Sequence, residues 1–115
     1  MEKVVLWHNP RCSKSRQTKS LLEERGVPLE LRLYLENPPT VEELEEILDM
    51  LGTESLDPIL RKKEALFKEL GLQGKSRGEL LAAIAEHPKL LERPIAIRGK
   101  VARMGRPPEK VLELL

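Results

Sequence analysis

A single cysteine, Cys12, lies where an apolar run gives way to a helical pattern, and it has the clearest capacity for chemistry in the chain. Residues 4–7 are apolar, a turn containing Pro10 follows, and the helical pattern begins at Ser13. A thiol at the start of a helix lies close to unpaired backbone N–H groups and to the positive end of the helix dipole. Because both favour the thiolate, the position predicts a nucleophile and argues against a buried, inert cysteine.

Three residues after the cysteine, Ser15 stands where a C-x-x-C redox motif has its second thiol. A monothiol site can form a mixed disulfide or a covalent adduct, but it cannot resolve either without a thiol from outside. The hydroxyl of Ser15 either donates a hydrogen bond to the thiolate or a bound anion, or belongs to an ordinary first-turn serine. Both interpretations stay open.

His8 and Arg16 are the closest plausible sources, together with the helix N-terminus, of a shift that would ionise Cys12. A thiol with a pKa of about 8.5 is only about 3% ionised at neutral pH, whereas a pKa of about 6.5 makes roughly three-quarters of it thiolate. For His8 the alternative is a hydrogen bond to the turn backbone. The sequence leaves these two roles of His8 open.

Composition limits the partners of the chain. Its 115 residues suit one domain, 1–115, and its 20 basic and 19 acidic residues give a net charge of +1. This balance argues against bulk attraction to nucleic acid or to an anionic membrane surface. No long apolar run or signal-peptide core is visible, and a lone cysteine suits a reducing compartment, so we expect a cytoplasmic protein. His8 and His87 are far apart in sequence, and no cluster of metal-ligating residues accompanies them.

The elements that would position the cysteine form a βαβ unit. Residues 4–7 read as a short buried strand, and residues 13–25 as a helix that Gly26 ends. Strict alternation of apolar residues over 29–35 predicts a half-buried strand. The crossover between the two strands is expected to be right-handed.

A helical insertion, about 40–91, is predicted next. Capping boxes begin helices at residues 40–43 and 76–79, and Asp57-Pro58 favours another helical start before a further piece over 64–70. The chain then returns to strands, with a hairpin over 95–104 and a closing helix from Pro107. The predicted class is therefore α/β, a thioredoxin-like βαβ–ββα core with a helical insertion between its halves.

Short motifs along nearly the whole chain resemble the glutaredoxin-linked arsenate reductase family, the ArsC-like family. They occur in the family's order: His8-Asn9-Pro10-Arg11-Cys12, Ser15-Arg16, Tyr34-Leu35-Glu36-Asn37-Pro38-Pro39, Leu60-Arg61-Lys62, Arg93-Pro94-Ile95 and Arg106-Pro107. The wider superfamily also contains thiol reductases and Spx-type regulators that bind RNA polymerase.

The resemblance implies a site and a reaction. Cys12 falls on the nucleophile, and Arg61, Arg93 and Arg106 fall on the three arginines that hold the arsenic oxyanion. Pro94 is expected to be the cis-proline opposite the thiol in thioredoxin-like folds. Reduction of arsenate to arsenite would need glutathione or another small thiol as co-substrate and glutaredoxin or an equivalent donor. No tightly bound cofactor and no metal is implied.

Two departures from the family pattern concern the substrate. Ser13-Lys14 follow the cysteine where the family commonly has a small residue and a threonine, and Lys14 and Arg11 add positive charge. One alternative is a monothiol oxidoreductase acting on thiols or disulfides, with the arginines binding glutathione carboxylates. The other is an Spx-type RNA polymerase-binding regulator, against which the missing C-x-x-C counts.

Overall fold

The computed structural model describes residues 2–115 and has the predicted α/β class. A stretch of helices lies between its second and third strands, as the sequence predicts. The elements in chain order are β1 (Val4–Trp7), α1 (Ser13–Glu24), β2 (Leu29–Arg32), α2 (Val41–Leu51), α3 (Ala65–Glu69), α4 (Arg77–Glu86), a 3₁₀ segment (Pro88–Leu90), β3 (Ile95–Arg98), β4 (Val101–Met104) and a second 3₁₀ segment (Pro108–Leu114).

The four strands form one sheet in the order β2-β1-β3-β4. β1 and β2 are parallel, whereas β3 runs antiparallel to both of its neighbours. One row of paired residues crosses all four strands near one end of the sheet: Trp7 pairs with Arg32 and with Ile95, and Ile95 pairs with Met104. The segments after β1, β2 and β4 and the segment before β3 therefore meet at that end of the strands.

The sheet is covered on both faces, which explains the apolar content of its central strand. Val4 and Leu6 of β1 pack with Leu22 of α1 and Val111 of the closing segment. Trp7, of opposite parity, packs in the cluster that contains the buried leucines and isoleucines of α2 and α4. Full burial of one such side chain contributes about 1.5–3 kcal/mol, so the two clusters stabilise the sheet from both faces.

The helices of the insertion begin where the capping boxes predict. The side chains of Thr40 and Ser76 accept hydrogen bonds from the backbone N–H groups of Glu43 and Glu79. The side chains of these two glutamates in turn accept the backbone N–H groups of the cap residues. Each such cap contributes about 1 kcal/mol. Gly52 ends α2 with a φ of 76°, a left-handed conformation that costs glycine little.

Three predicted elements differ from the structure. The predicted strand over 29–35 stops at Arg32, because the N–H groups of Glu36 and Asn37 turn back to the carbonyl of Leu33. No helix begins at Asp57-Pro58. There the N–H groups of Ile59 and Leu60 both donate to Leu56, and the backbone then pairs with residues near 91 instead of continuing a helix. The closing segment is a 3₁₀ helix instead of an α-helix, and it starts at Pro108.

Within residues 2–115, none of the helices has the length and apolar character needed to cross a membrane.

Candidate active site

The thiol turn, residues 8–15, joins β1 to α1 at the end of the sheet where Trp7, Arg32, Ile95 and Met104 lie. Cys12 is the N-cap residue of α1, and its N–H donates to the carbonyl of Asn9 at 3.0 Å. The side chain of Asn9 accepts the N–H of Arg11, also at 3.0 Å. These bonds fold the turn tightly, and they leave the Cys12 side chain only 8% exposed at the start of the helix.

The pKa of the Cys12 thiol lies below its ordinary value, although the thiol is buried. Burial acts to raise this pKa, but the backbone N–H groups of Ser15 and Lys14 and the guanidinium of Arg93 lower it more. The helix start and one arginine thus stabilise the thiolate. A thiolate held in this way is a nucleophile.

Ser15 and His8 form a buried pair that supports the thiol turn. The Ser15 hydroxyl oxygen lies 2.7 Å from Nδ1 of His8 and accepts the N–H of Asn9 at 3.0 Å. Burial lowers the pKa of His8, and the positive charges of Lys19 and Arg16 lower it further, so the ring is neutral near pH 7. The hydroxyl of Ser15 thus forms hydrogen bonds within the turn, whereas the backbone N–H of Ser15 stabilises the thiolate.

Arg16 is directed at the turn backbone, since its Nη1 donates to the carbonyl of Pro10 at 3.0 Å. The groups that lower the pKa of Cys12 are the two helix N–H groups and Arg93. The positive charge near the thiol therefore comes from a residue far away in sequence and not from His8 or Arg16, the neighbours that the sequence favoured.

Pro94 follows a cis peptide bond, as predicted, and Arg106–Pro107 is also cis. The N–H of Gly105, at the end of β4, donates to the carbonyl of Pro94 at 2.9 Å. A Cβ on Gly105 would lie 2.5 Å from Cγ of Pro94 and 2.6 Å from Oγ1 of Thr18, well inside contact distance. Only glycine permits this close approach, which brings Arg106 next to Arg93.

The three predicted arginines line one cavity of about 490 Å³, which we call the arginine cavity. Arg106 reaches it by donating from Nη1 to the carbonyl of Arg93 at 3.0 Å. Arg61 is brought there by an isolated bridge between Leu60 and Leu91, and its N–H donates to Leu90 at 2.8 Å. The charged residues that line the arginine cavity are five cationic and three acidic ones: Arg61, Lys62, Lys63, Arg93, Arg106, Asp57, Glu64 and Glu92.

Cys12 does not line the arginine cavity itself, and Arg93 is the residue that connects them. The side chain of Arg93 is 16% exposed, and its Nε is buried without a hydrogen-bond partner among residues 2–115. An unpaired buried donor is costly. This one belongs to the side chain that faces both the thiol and the cavity, where an anionic ligand could accept its hydrogen bond.

No group of three or more His, Cys, Asp or Glu side chains in the described chain is placed to hold a metal ion. The described residues that gather at the site provide a thiol of lowered pKa beside a cluster of guanidinium groups. Planar guanidinium groups can grip two oxygens of a carboxylate or a tetrahedral oxyanion.

The sequence model of the ArsC family matches residues 7–114, nearly the whole chain. The chain belongs to the ArsC family. Two curated relatives are named arsenate reductase. One, from Neisseria meningitidis serogroup A, is 47% identical and aligned over 100% of both chains. The other, from Haemophilus influenzae, is 46% identical over 97% of this chain and 98% of its own length.

A solved structure agrees with this assignment. The arsenate reductase from Vibrio cholerae superposes with a TM-score of 0.95 at 50% identity and covers 99% of this chain and 98% of its own. The thioredoxin-like arrangement predicted from the sequence is therefore the fold of this ArsC-family chain.

Tyr34 lies at this ArsC-family site, although the sequence analysis did not select it as a site residue. It is 1% exposed, and burial, aided by the Cys12 charge, raises its pKa to about 12 against the opposing effects of Arg93, Arg61 and Asn9. The phenol therefore stays protonated at neutral pH, near both the thiol and the cavity. Its place in the Tyr34–Pro39 motif was the only sequence signal.

Proposed function

We propose that this ArsC-family chain is a thiol-dependent oxidoreductase that reduces arsenate to arsenite through a Cys12–arsenic adduct. The observation that carries the proposal is the sharing of Arg93 between a thiol of lowered pKa and a cavity lined by three arginines. A nucleophile and an oxyanion-binding cluster then act on the same molecule. The names of the relatives from Neisseria and Haemophilus support arsenate as the oxyanion.

In the first step, the Cys12 thiolate attacks the arsenic atom of arsenate. A sulfur–arsenic bond forms, and one arsenate oxygen, once protonated, leaves as water. Arg61, Arg93 and Arg106 hold the remaining oxygens, where donors fixed in advance favour the charge that develops in the transition state. His8, Ser15 and Arg16 keep the thiol turn folded, and Pro94 holds Arg93 beside the thiol.

In the second step, an external thiol completes the reduction, because Cys12 is the only cysteine of the chain. Glutathione or another small thiol supplies the second sulfur. This thiol attacks the sulfur of the Cys12–arsenic adduct, and the sulfur–arsenic bond breaks with its electron pair going to arsenic. Arsenic thereby passes from the +5 to the +3 state and leaves as arsenite, and a mixed disulfide forms on Cys12. Glutaredoxin or an equivalent donor then attacks that disulfide and restores the Cys12 thiol by exchange. All of these steps suit the reducing cytoplasm.

A second candidate is a monothiol oxidoreductase that acts on glutathione-containing or other disulfides. One observation favours it: Glu92 and Glu64 already pair with the cavity arginines, so the cavity accommodates carboxylates. The carboxylates of glutathione could be held in the same way. In that case Cys12 would attack a sulfur atom in place of arsenic.

The test compares both substrates with one preparation of the purified chain. Arsenite formation is measured with glutathione and glutaredoxin, beside a mixed-disulfide substrate and the Cys12→Ser variant. Saturable, Cys12-dependent arsenite formation supports the first proposal. Cys12-dependent disulfide turnover without arsenite, with any thiol donor, supports the second. If neither substrate reacts and the chain retains RNA polymerase from a mixture of purified proteins, an Spx-type regulator replaces both.

A further inference from the structure

A carboxylate, that of Glu92, lies between two of the three cavity arginines. Its Oε1 is 3.1 Å from Nη1 of Arg93 and 3.7 Å from Nε of Arg106. The same oxygen also accepts the backbone N–H of Arg93 at 3.3 Å. One carboxylate oxygen thus faces donors of both arginines, as an oxygen of a bound oxyanion would.

The backbone holds Glu92 in this position. Its N–H donates to the carbonyl of Ile59 at 2.7 Å, and the preceding residue, Leu91, pairs with Leu60 in the bridge that brings Arg61 to the cavity. The side chain is only 24% exposed, and Arg93 is more buried still. A pair with so little solvent around it is screened less than a surface ion pair.

The two acidic partners of the arginines are differently placed. Glu64 pairs with Arg61 at 3.3 Å and lies 3.7 Å from Nζ of Lys89, so its charge is shared with an exposed lysine. Glu92 has only arginines as partners in the described chain, and one of them is the residue that stabilises the Cys12 thiolate. Glu92 is therefore the carboxylate whose loss changes both halves of the site.

We propose that Glu92 is an internal counter-ion that accepts hydrogen bonds from Arg93 and lies within ion-pair distance of Arg106 until the oxyanion displaces it, and that it thereby sets the affinity of the cavity for anions. This inference rests on the proposed function, because it assumes that the cavity receives an oxyanion. Glu92 is a positioning residue that acts through the two arginines. It keeps their donors aligned, and its negative charge weakens the binding of every anion.

This role makes a prediction that a purely structural role does not. Replacing Glu92 with Gln keeps the size and a hydrogen-bond acceptor but removes the charge. Inorganic phosphate, an unreactive tetrahedral oxyanion, should then bind roughly three- to tenfold more tightly, as expected for a competing, partly buried ion pair. The KM for arsenate should fall by a similar factor while kcat changes little. The pKa of Cys12 should also fall, because Arg93 loses its other anionic partner.

The experiment measures phosphate dissociation constants by calorimetry for wild type, Glu92→Gln, Glu92→Asp and a control, Glu45→Gln. Glu45 pairs with Arg77, and neither residue lines the arginine cavity. We expect tighter binding in Glu92→Gln, wild-type binding in the control, and near-wild-type binding in Glu92→Asp because the charge is restored. Should Glu92→Gln not fold, Glu92→Ala supplies the same comparison.

Unchanged or weaker phosphate binding in the uncharged variants, with an unchanged pKa of Cys12, overturns the inference and leaves Glu92 a structural residue. Failure of the proposed function gives a different result. If wild type produces no arsenite, yet phosphate binding tightens in Glu92→Gln, the counter-ion role stands and only the identity of the substrate is lost.

Discussion

The thiol turn and the arginine cavity are built in opposite ways. The thiol turn is contiguous: Ser15, Asn9 and His8 hold it through short hydrogen bonds, and its own backbone N–H groups help to stabilise the thiolate. The arginine cavity gathers side chains from three distant segments, and carboxylates already occupy part of its donors. A local turn can make a nucleophile, whereas an anion-binding site requires the fold to collect charge.

Arg93 is where the two regions meet. Its charge lowers the pKa of Cys12, its Nη1 pairs with Glu92, and its Nε has no partner in the described chain. Changes confined to the thiol turn should therefore impair the chemical step, changes confined to the cavity should impair binding, and changes at Arg93 should impair both.

The largest expected effect comes from removing the nucleophile. Cys12→Ser should lower arsenite formation on the order of a thousandfold or more, because the hydroxyl is not ionised at neutral pH and no second thiol can replace it. Phosphate binding to the cavity should stay within about twofold of wild type. Thermal unfolding checks that the variant is folded. Retained arsenite formation would show that the reaction does not pass through Cys12.

Two substitutions of Arg93 test how the thiol turn and the arginine cavity are connected: one removes the charge of the side chain, and the other keeps the charge but removes the planar guanidinium group. Arg93→Ala should lower kcat/KM on the order of a hundredfold and raise the pKa of Cys12, since both the oxyanion donor and the charge are lost. Arg93→Lys should keep the pKa of Cys12 low and still weaken oxyanion binding, because an ammonium group lacks the planar fork.

The measurements are steady-state kinetics and the pH dependence of Cys12 alkylation. Arg77→Ala, which removes an exposed arginine paired with Glu45, is the matched control and should resemble wild type. If Arg93→Ala alters the KM but leaves the pKa of Cys12 unchanged, the two regions are independent.

Most of the fold and half of the site can be predicted from the sequence, for identifiable reasons. The thiol turn could be predicted because strand, turn and helix start are contiguous, and both capping boxes were visible as local patterns. The alternation that predicted a strand over 29–35 continues through Leu33 and Leu35, but these residues belong to a turn, and Leu35 is 43% exposed.

The arginine cavity could not be derived from the sequence without the family resemblance. Arg61 reaches it through one isolated bridge, Leu60 with Leu91, which leaves no periodic signal. Glu92 and Glu64 look like ordinary surface acids in a chain with 19 acidic residues. Tyr34 could be recognised only after the turn that follows β2 was known to fold toward the thiol.

The Ser15→Ala variant separates the role of the Ser15 hydroxyl from the role of the Ser15 backbone N–H. Loss of the hydroxyl leaves the N–H of Asn9 and Nδ1 of His8 without their partner, which should cost about 1–3 kcal/mol of unfolding free energy. The pKa of Cys12 should change little, because the backbone N–H of Ser15 remains. Urea unfolding and thiol alkylation measure the two quantities, and Ser20→Ala, at an exposed position of α1, is the control. A large rise in the pKa of Cys12 would assign its stabilisation to the hydroxyl.

The smallest expected effect is a pH dependence of stability due to His8. Its pKa is lowered in the folded chain, so the unfolded chain binds the proton more readily below about pH 6.5. The contribution of neutral His8 is complete above that pH and is lost progressively as the pH falls toward the lower, folded-state pKa. Between about pH 7 and about pH 5.5 the stability of wild type should fall more than that of His8→Asn, as measured by urea unfolding. Equal slopes would show that His8 does not titrate differently on unfolding.

The most direct test of the central claim is the intact mass of the chain after one turnover with arsenate and glutathione but without glutaredoxin. The account predicts about one equivalent of arsenite and one glutathione bound to Cys12, because the chain has no second cysteine to release it. Both products should be absent when arsenate is omitted and in Cys12→Ser. Glutathione on Cys12 without arsenite, or arsenite release with an unmodified and unreactive Cys12, would contradict the account.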